Sequence, residues 1–153
     1  MSPVRVRAMQ AADLNAVLAI AASLPSAPHW PRVAYLAALS DRSTPLRIAL
    51  VATDATGIVT GFAIASLLPP EAELETIAVA PERQRQGVGR ELLAVLAEAL
   101  RRRHVQTLLL EVRASNQAAV SLYQQAGFQQ AGRRPNYYSD PVEDAALMRL
   151  TLG

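Results

Sequence analysis

The stretch from Ile77 to Leu100 leaves this chain few ways to fold. An apolar run, Ile77-Ala78-Val79, stops at Pro81, and a polar loop carrying Arg83 and Arg85 follows. Gly87 and Gly89 then lead into a segment where Val88, Leu92, Val95, Leu96, Ala99 and Leu100 recur at helical spacing and make one apolar face. A strand, a glycine loop and a helix in direct succession form a natural anion site. The first amides of a helix have no internal partner, and the helix dipole favours negative charge there. Glycine lets the backbone approach a phosphate closely. Arg83, Arg85 and Arg90 add positive charge beside those amides. The loop does not end in the Gly-Lys-Ser/Thr of the common phosphate loop, and it lacks the third glycine of the dinucleotide fingerprint. Taken alone, it is equally compatible with an ordinary helix start flanked by solvated arginines.

Charge is spread unevenly in a way that suits the anion reading. All 15 basic residues are arginine, and the net charge is +2. Residues 1–82 carry five Arg against seven Asp/Glu, whereas residues 83–153 carry ten Arg against six, so the basic half begins at the loop. A polyanionic small molecule favours that arrangement. Nucleic acid is disfavoured, because aromatic residues make up only 5% of the chain and few lie among the arginines. The chain has no cysteine, which excludes a disulfide framework, a thiolate nucleophile and a cysteine metal site. No His/Asp/Glu cluster has metal-ligand spacing, so no metal is expected. The 153 residues, 51% of them hydrophobic, suit a single domain over 1–153 with a real core. No secretion signal or membrane-spanning run is evident, so a cytoplasmic location without membrane contact is the default expectation.

Patterning along the chain predicts an α/β arrangement. Val4–Met9 alternates as a strand, Ala11–Leu24 and Arg32–Leu39 read as helices, and Leu46–Thr53 and Ile58–Leu68 read as strands joined by a hairpin at Asp54-Ala55-Thr56-Gly57. Leu74–Val79 is the strand before the loop. Thr107–Val112 reads as a buried strand. Ser115 is the expected N-cap of a helix over Asn116–Ala126, which Gly127 ends. Phe128–Arg134 and Ala145–Leu152 read as closing strands with Pro135–Asp144 as the loop between them.

Three sets of residues draw attention chemically. Glu111 is the odd residue in an apolar strand; lost hydration raises a carboxylate pKa there unless charge or hydrogen bonds compensate, which suits a general base. An ion pair with Arg113 or Arg134, or an edge position facing water, explains it equally well. Tyr123 falls on the apolar face of the next helix, where a core tyrosine is the plain reading. Glu71, Glu73 and Glu75 alternate with apolar residues, either as a solvated strand start or as an acidic lip for a basic ligand, with Glu75 as a second candidate base. Beside these, His29 could serve as a proton relay, although a lone loop histidine is in most proteins incidental.

Two segments together resemble the GNAT N-acetyltransferases. Gln84-Arg85-Gln86-Gly87-Val88-Gly89 is similar to that family's pyrophosphate loop, Gln/Arg-x-x-Gly-x-Gly/Ala. Leu110-Glu111-Val112-Arg113-Ala114-Ser115-Asn116, with Ala119, Leu122, Tyr123, Gly127 and Phe128 at their spacings, resembles the signature of the RimI type, which acetylates the N-terminal alanine of a small-subunit ribosomal protein. Arg133-Arg134-Pro135-Asn136-Tyr137-Tyr138 and Glu143-Asp144-Ala145 also resemble that type. The likeness covers roughly Leu74–Leu150 and is weaker before it: His29 separates a Pro-Trp pair usually adjacent, and Pro135 interrupts the Arg-Arg-x-Tyr-Tyr region. Both departures border the expected substrate entrance.

The resemblance implies a mixed, mostly antiparallel sheet with helices on both faces, acetyl-CoA as cosubstrate, and acetyl transfer to a protein N-terminus. It implies that Glu111 takes the proton of the substrate ammonium and Tyr123 protonates the departing thiolate. It implies that the Ile77-Ala78-Val79 strand, Gln84 to Arg90, Asn116 and Tyr123 hold the cofactor, with the amides of Ile77 and Val79 polarising the thioester. Glu75, Tyr137 and Tyr138 would border the acceptor. A small-amine acetyltransferase, or a module that binds CoA without catalysis, remain open alternatives.

Overall fold

The computed structural model describes residues 4–25 and 28–153. Its elements follow one another in the predicted order: β1 (Arg5–Ala8), a 3₁₀ turn (Ala11–Asp13) leading into α1 (Leu14–Ala22), α2 (Arg32–Leu39), β2 (Arg47–Thr53), β3 (Val59–Leu68), β4 (Glu71–Val79), a second 3₁₀ turn (Pro81–Arg83), α3 (Val88–Arg102), β5 (Thr107–Arg113), α4 (Gln117–Gln125), β6 (Gln129–Tyr138) and β7 (Glu143–Thr151). The seven strands form one sheet in the order β1-β2-β3-β4-β5-β7-β6. Every pairing is antiparallel except that between β4 and β5.

The sheet separates two apolar cores, as expected when amphipathic helices bury a stripe on each face. On one side, Leu92, Leu96 and Leu100 of α3 pack with Leu50, Ala63, Leu108, Leu110 and Met148 of the sheet. On the other, Leu14 and Val17 of α1 and Tyr35 of α2 pack on Val51, Phe62 and Ile64. Trp30 closes the edge of this second core, its ring 5.2 Å from that of Tyr35.

Two irregularities shape the middle of the sheet. In the β3–β4 ladder Ala65 pairs with Leu74 and Ile64 with Thr76, which leaves Glu75 as an extra residue. Such a bulge reverses the faces to which later side chains point. Accordingly Ala72 and Leu74 belong to the core under α3, whereas Ala78 and Ala80 belong to the core under α1 and α2. The second irregularity is in the parallel pair: β4 and β5 are bonded only at Glu71–Glu73 with Thr107–Leu109, and beyond those residues the two strands splay apart.

The structure departs from the sequence expectations at three places. β4 begins at Glu71, so the alternating glutamates lie within the strand. The helix α4 is capped by Asn116, whose Oδ1 accepts from the Ala119 amide at 3.2 Å, and not by Ser115, whose own amide donates to Glu143 at 2.7 Å. The expected loop Pro135–Asp144 is mostly strand, because β6 runs through Pro135 to Tyr138. As the last strand of the sheet, β6 tolerates a proline that has no N–H to give. A register shift between Arg134 and Tyr138 absorbs Asn136 in a left-handed conformation, and the Asn136 amide donates to Asp144.

Candidate active site

The splay between β4 and β5 opens a cavity of about 1070 Å³. The residues that the sequence assigns to catalysis, cofactor and acceptor border it: Glu75, Ile77, Ala78, Val79, Gln84 to Arg90, Glu111, Asn116, Tyr123, Tyr137 and Tyr138; Glu71 of the alternating acidic series does not. Glu73, Leu24 and Pro28 border it too. His29 does not: it is exposed, while Trp30 packs inward on Tyr35.

On the α3 side the cavity meets an uncapped helix start. Gly87 precedes α3 in the left-handed conformation, with φ 83°, and no side chain caps the helix. Glu91 N–H donates back to the Gly87 carbonyl, so the amides of Val88, Gly89 and Arg90 precede the helical ladder and find no backbone acceptor among the described residues. The contrast with α4, whose first turn Asn116 caps, is informative: the chain has capping residues and uses none here. A Cβ on Gly87 would meet no atom within 4 Å, whereas one on Gly89 would lie 3.1 Å from Leu122 of α4. Gly87 is thus needed for its conformation, and Gly89 for the close approach of α3 to α4.

The edge of β4 contributes a second row of donors. The Ala80 amide donates to Thr60 of β3 at 2.8 Å. Since successive residues of a strand turn their N–H groups to opposite sides, Val79 and Ile77 direct theirs into the splay, and Ala78 directs its own toward β3. The Val79 carbonyl accepts from Gln84 Nε2 at 3.2 Å, which ties the loop to this edge. Tyr123 stands on the same side, 8% exposed, with its ring 5.6 Å from Phe128. Burial first, then the neighbouring Tyr138, pushes its hydroxyl up to about 12, so it carries its proton throughout the working pH range.

The opposite side of the sheet holds the carboxylates. Leu110 and Val112 face the α3 core, so Glu111 between them faces away from it. The Arg134 guanidinium lies 3.5 Å from Glu111 and supplies the compensating charge that an otherwise apolar strand lacks. Arg113, the other candidate partner, is engaged by Glu143 at 3.3 Å. Arg47 holds Glu75 at 2.9 Å. Glu73 has no ion-pair partner among the described residues, and burial, then the charges of Glu111 and Glu75, raise its pKa above the ordinary carboxylate value.

Aromatic rings of β6 close this side. Tyr137 and Tyr138 meet edge to face with centroids 5.0 Å apart. Arg134 lies 5.3 Å from the Tyr137 ring centroid, and Arg113 4.5 Å from that of Tyr138. The Tyr137 hydroxyl pKa is raised chiefly by its hydrogen-bonding interaction with Glu111 and then by that carboxylate's charge. A carboxylate and a proton-bearing phenol therefore reach the splay from opposite faces, with a row of backbone donors between them.

Comparison with known proteins agrees with this geometry. The family model described as Acetyltransferase (GNAT) family matches residues 15–128. The chain is 50% identical over 98 residues to the [ribosomal protein bS18]-alanine N-acetyltransferase of Escherichia coli strain K12, an alignment covering 63% of this chain and 66% of that protein. It is 33% identical over 147 residues to a putative [ribosomal protein bS18]-alanine N-acetyltransferase of Bacillus subtilis, covering 96% of this chain and 95% of the relative. The crystal structure of the ribosomal-protein-S18-alanine N-acetyltransferase from Escherichia coli superposes with a TM-score of 0.83 at 37% identity, over 99% of this chain and 95% of that one. Sheet, splay and family match together establish that the chain belongs to the GNAT acetyltransferase family.

Proposed function

We propose that this chain is an acetyl-CoA-dependent N-acetyltransferase of the RimI type, whose acceptor is the free α-amine of a protein beginning with alanine, the natural one being a small-subunit ribosomal protein. The observation that carries the reading is the splay, where an uncapped helix start and the Ile77 and Val79 amides face a carboxylate and a buried phenol. The relatives' names supply the acceptor class.

The residues fit the cosubstrate. The amides at the start of α3, with Gln84, Arg85 and Gln86, hold the pyrophosphate; the free edge of β4 holds the pantetheine; Asn116, its Oδ1 committed to the Ala119 amide, offers its NH₂ group. Acetyl-CoA supplies the acetyl group as a thioester, so the amine nitrogen bonds to the carbonyl carbon, the carbon–sulfur bond breaks with its electron pair going to sulfur, and the nitrogen gives up its second proton to solvent as the amide forms. The Val79 and Ile77 amides stabilise the negative charge that the carbonyl oxygen gains. An α-amine has a pKa of about 7.7–8.0, so most of it must lose a proton before attack at neutral pH, and Glu111 receives that proton, directly or through water.

Tyr123 donates toward the leaving sulfur. A thiol of pKa about 8.5 holds its proton less tightly than a phenol near 12, so full transfer is uphill in the resting site and the hydrogen bond is the larger contribution. Tyr123→Phe should therefore lower turnover less than loss of the base does, by about 10- to 100-fold, the worth of one hydrogen bond to a charged group. A Tyr123→Phe enzyme as impaired as a Glu111→Gln enzyme would make complete proton transfer the governing step.

Acceptor choice is tested with four compounds at equal concentration: a peptide beginning Ala-Arg, its N-terminally blocked twin, a blocked peptide with an internal lysine, and a polyamine. Only the first should gain an acetyl group by mass spectrometry. Reaction of the lysine peptide or the polyamine alone would leave an acetyltransferase standing but remove the RimI type. Because Arg47 and Arg134 already neutralise Glu75 and Glu111, the steering charge for a basic peptide falls to Glu73. Peptide kcat/KM should fall as salt rises, and Glu73→Gln should flatten that dependence.

A further inference from the structure

We infer that Asp54, in the turn between β2 and β3, is a positioning residue for the phosphate-binding loop, acting through Arg83; the inference rests on the acetyl-CoA reading above. Arg83 ends the 3₁₀ turn that follows β4, just ahead of Gln84. Its guanidinium donates to Asp54 Oδ2 at 2.9 Å. The ion pair is shielded, with side chains 31% and 10% exposed for Arg83 and Asp54.

The turn that presents Asp54 is itself rigid. Asp54 Oδ1 accepts from the Thr56 amide at 2.9 Å, the Thr56 hydroxyl at 2.7 Å and the Ile58 amide at 3.0 Å. Its backbone amide donates to the Ile58 carbonyl at 2.9 Å, and its carbonyl accepts from Gly57 at 3.0 Å. The Thr56 hydroxyl first, then the Ile58 and Thr56 amides and the Arg83 charge, hold the carboxylate down at about 2, against a smaller opposing effect of desolvation. It stays ionised at any pH at which the enzyme is assayed.

The three loop arginines thus have separate employments. Arg83 is tied to Asp54, and Arg90 donates to Gln125 of α4 at 3.0 Å. Arg85 makes no side-chain hydrogen bond or ion pair among the described residues, and it holds a left-handed conformation with φ 66°, two residues before Gly87 at φ 83°. Glycine adopts this conformation freely, but for Arg85 it is sparsely populated and the surroundings must hold it. A carboxylate beside an anion site opposes the anion unless it is neutralised, so the Asp54–Arg83 pair adds little net charge. What it contributes is a fixed loop, which lowers the ordering cost of binding.

The test is Asp54→Asn. Asparagine Oδ1 can keep the bonds from Thr56 and Ile58, but its NH₂ cannot accept from Arg83. Kd and KM for acetyl-CoA should rise by about tenfold, the scale of one charge-assisted hydrogen bond and its preorganisation. Peptide KM and kcat should stay within about twofold, and KM for acetyl-pantetheine, which lacks the pyrophosphate, should not move. Arg83→Gln should cost about the same, and the double variant no more than either single one, because both remove one link. Should Asp54→Asn melt too low to assay, Arg83→Gln carries the same comparison between acetyl-CoA and acetyl-pantetheine. Tighter acetyl-CoA binding by Asp54→Asn would make Arg83 a phosphate ligand held in reserve and overturn the inference. Unchanged binding, or equal losses on acetyl-CoA and acetyl-pantetheine, would overturn it as well. Failure of the wild-type chain to bind acetyl-CoA is a separate result, and strikes the proposed function itself.

Discussion

Glu111→Gln is expected to lower turnover by about 10²–10⁴-fold, the usual contribution of a positioned general base. Glutamine keeps the shape of the side chain and an oxygen for Arg134, 3.5 Å away, but it cannot take a proton. The loss should fall on kcat and leave Kd for acetyl-CoA unchanged, because Glu111 faces away from the α3 side where the uncapped amides lie. Raising the pH should recover part of the rate, since the fraction of amine already deprotonated grows above about pH 8. Steady-state kinetics with a free-amine peptide, and an isothermal titration with acetyl-CoA, separate the two quantities.

Near-normal turnover in that variant would move the base elsewhere, and the structure ranks the alternatives. Sequence alone nominates Glu75, but Arg47 at 2.9 Å engages its carboxylate. Glu73 is the stronger alternative. It borders the same cavity, has no ion-pair partner among the described residues, and carries a pKa raised by burial and by the two neighbouring carboxylates. Glu73→Gln would then abolish turnover, where the present assignment has it alter only the salt dependence of peptide kcat/KM.

What could be read from the sequence was local. The strand–loop–helix from Ile77 follows from spacing and from the position of two glycines, and it lies where patterning puts it. The apolar face of α3 was read only along its centre: Val88, Leu92, Leu96 and Leu100 are buried as expected, but Leu93 and Ala97 are buried too, while Val95 and Ala99 are half-buried. That an odd glutamate and a tyrosine twelve residues on border one cavity was readable only with the family signature, because a buried tyrosine and a strand glutamate are individually ordinary. The length of β6 was hidden, since Pro135 reads as a strand breaker unless the strand is known to be at the edge. The bulge at Glu75 was hidden for a deeper reason. Alternation continues smoothly through the sequence, while the face to which it refers reverses in the middle of β4. The Asp54–Arg83 pair spans 29 residues, and no local pattern announces it.

Gly87→Glu is expected to abolish cofactor binding while sparing the fold. Acetyl-CoA at about a hundred times its Kd should stabilise the wild-type chain by about 2.7 kcal/mol, which for a domain of this size raises Tm by roughly 5–11 °C. A Cβ at Gly87 meets no atom within 4 Å, so the substitution starts from open space and not from either core. The left-handed φ of 83° costs about 1 kcal/mol for a residue other than glycine, a conformation that Arg85 already adopts nearby. The carboxylate, by contrast, sits at the uncapped start of α3, where it can itself satisfy the free amides and repel a pyrophosphate. Gly87→Ala separates the two effects, for it adds the conformational cost without the charge and should keep most of the cofactor-induced shift. Gly89→Glu is a poorer test, because its Cβ would press on the Leu122 side chain at 3.1 Å and mix a packing cost with the charge effect. If Gly87→Glu keeps the full shift, the pyrophosphate does not lie at the start of α3, and Arg85 and the uncapped amides need another explanation. If saturating acetyl-CoA leaves the wild-type melting curve unmoved, the chain has the fold of the family without its cosubstrate.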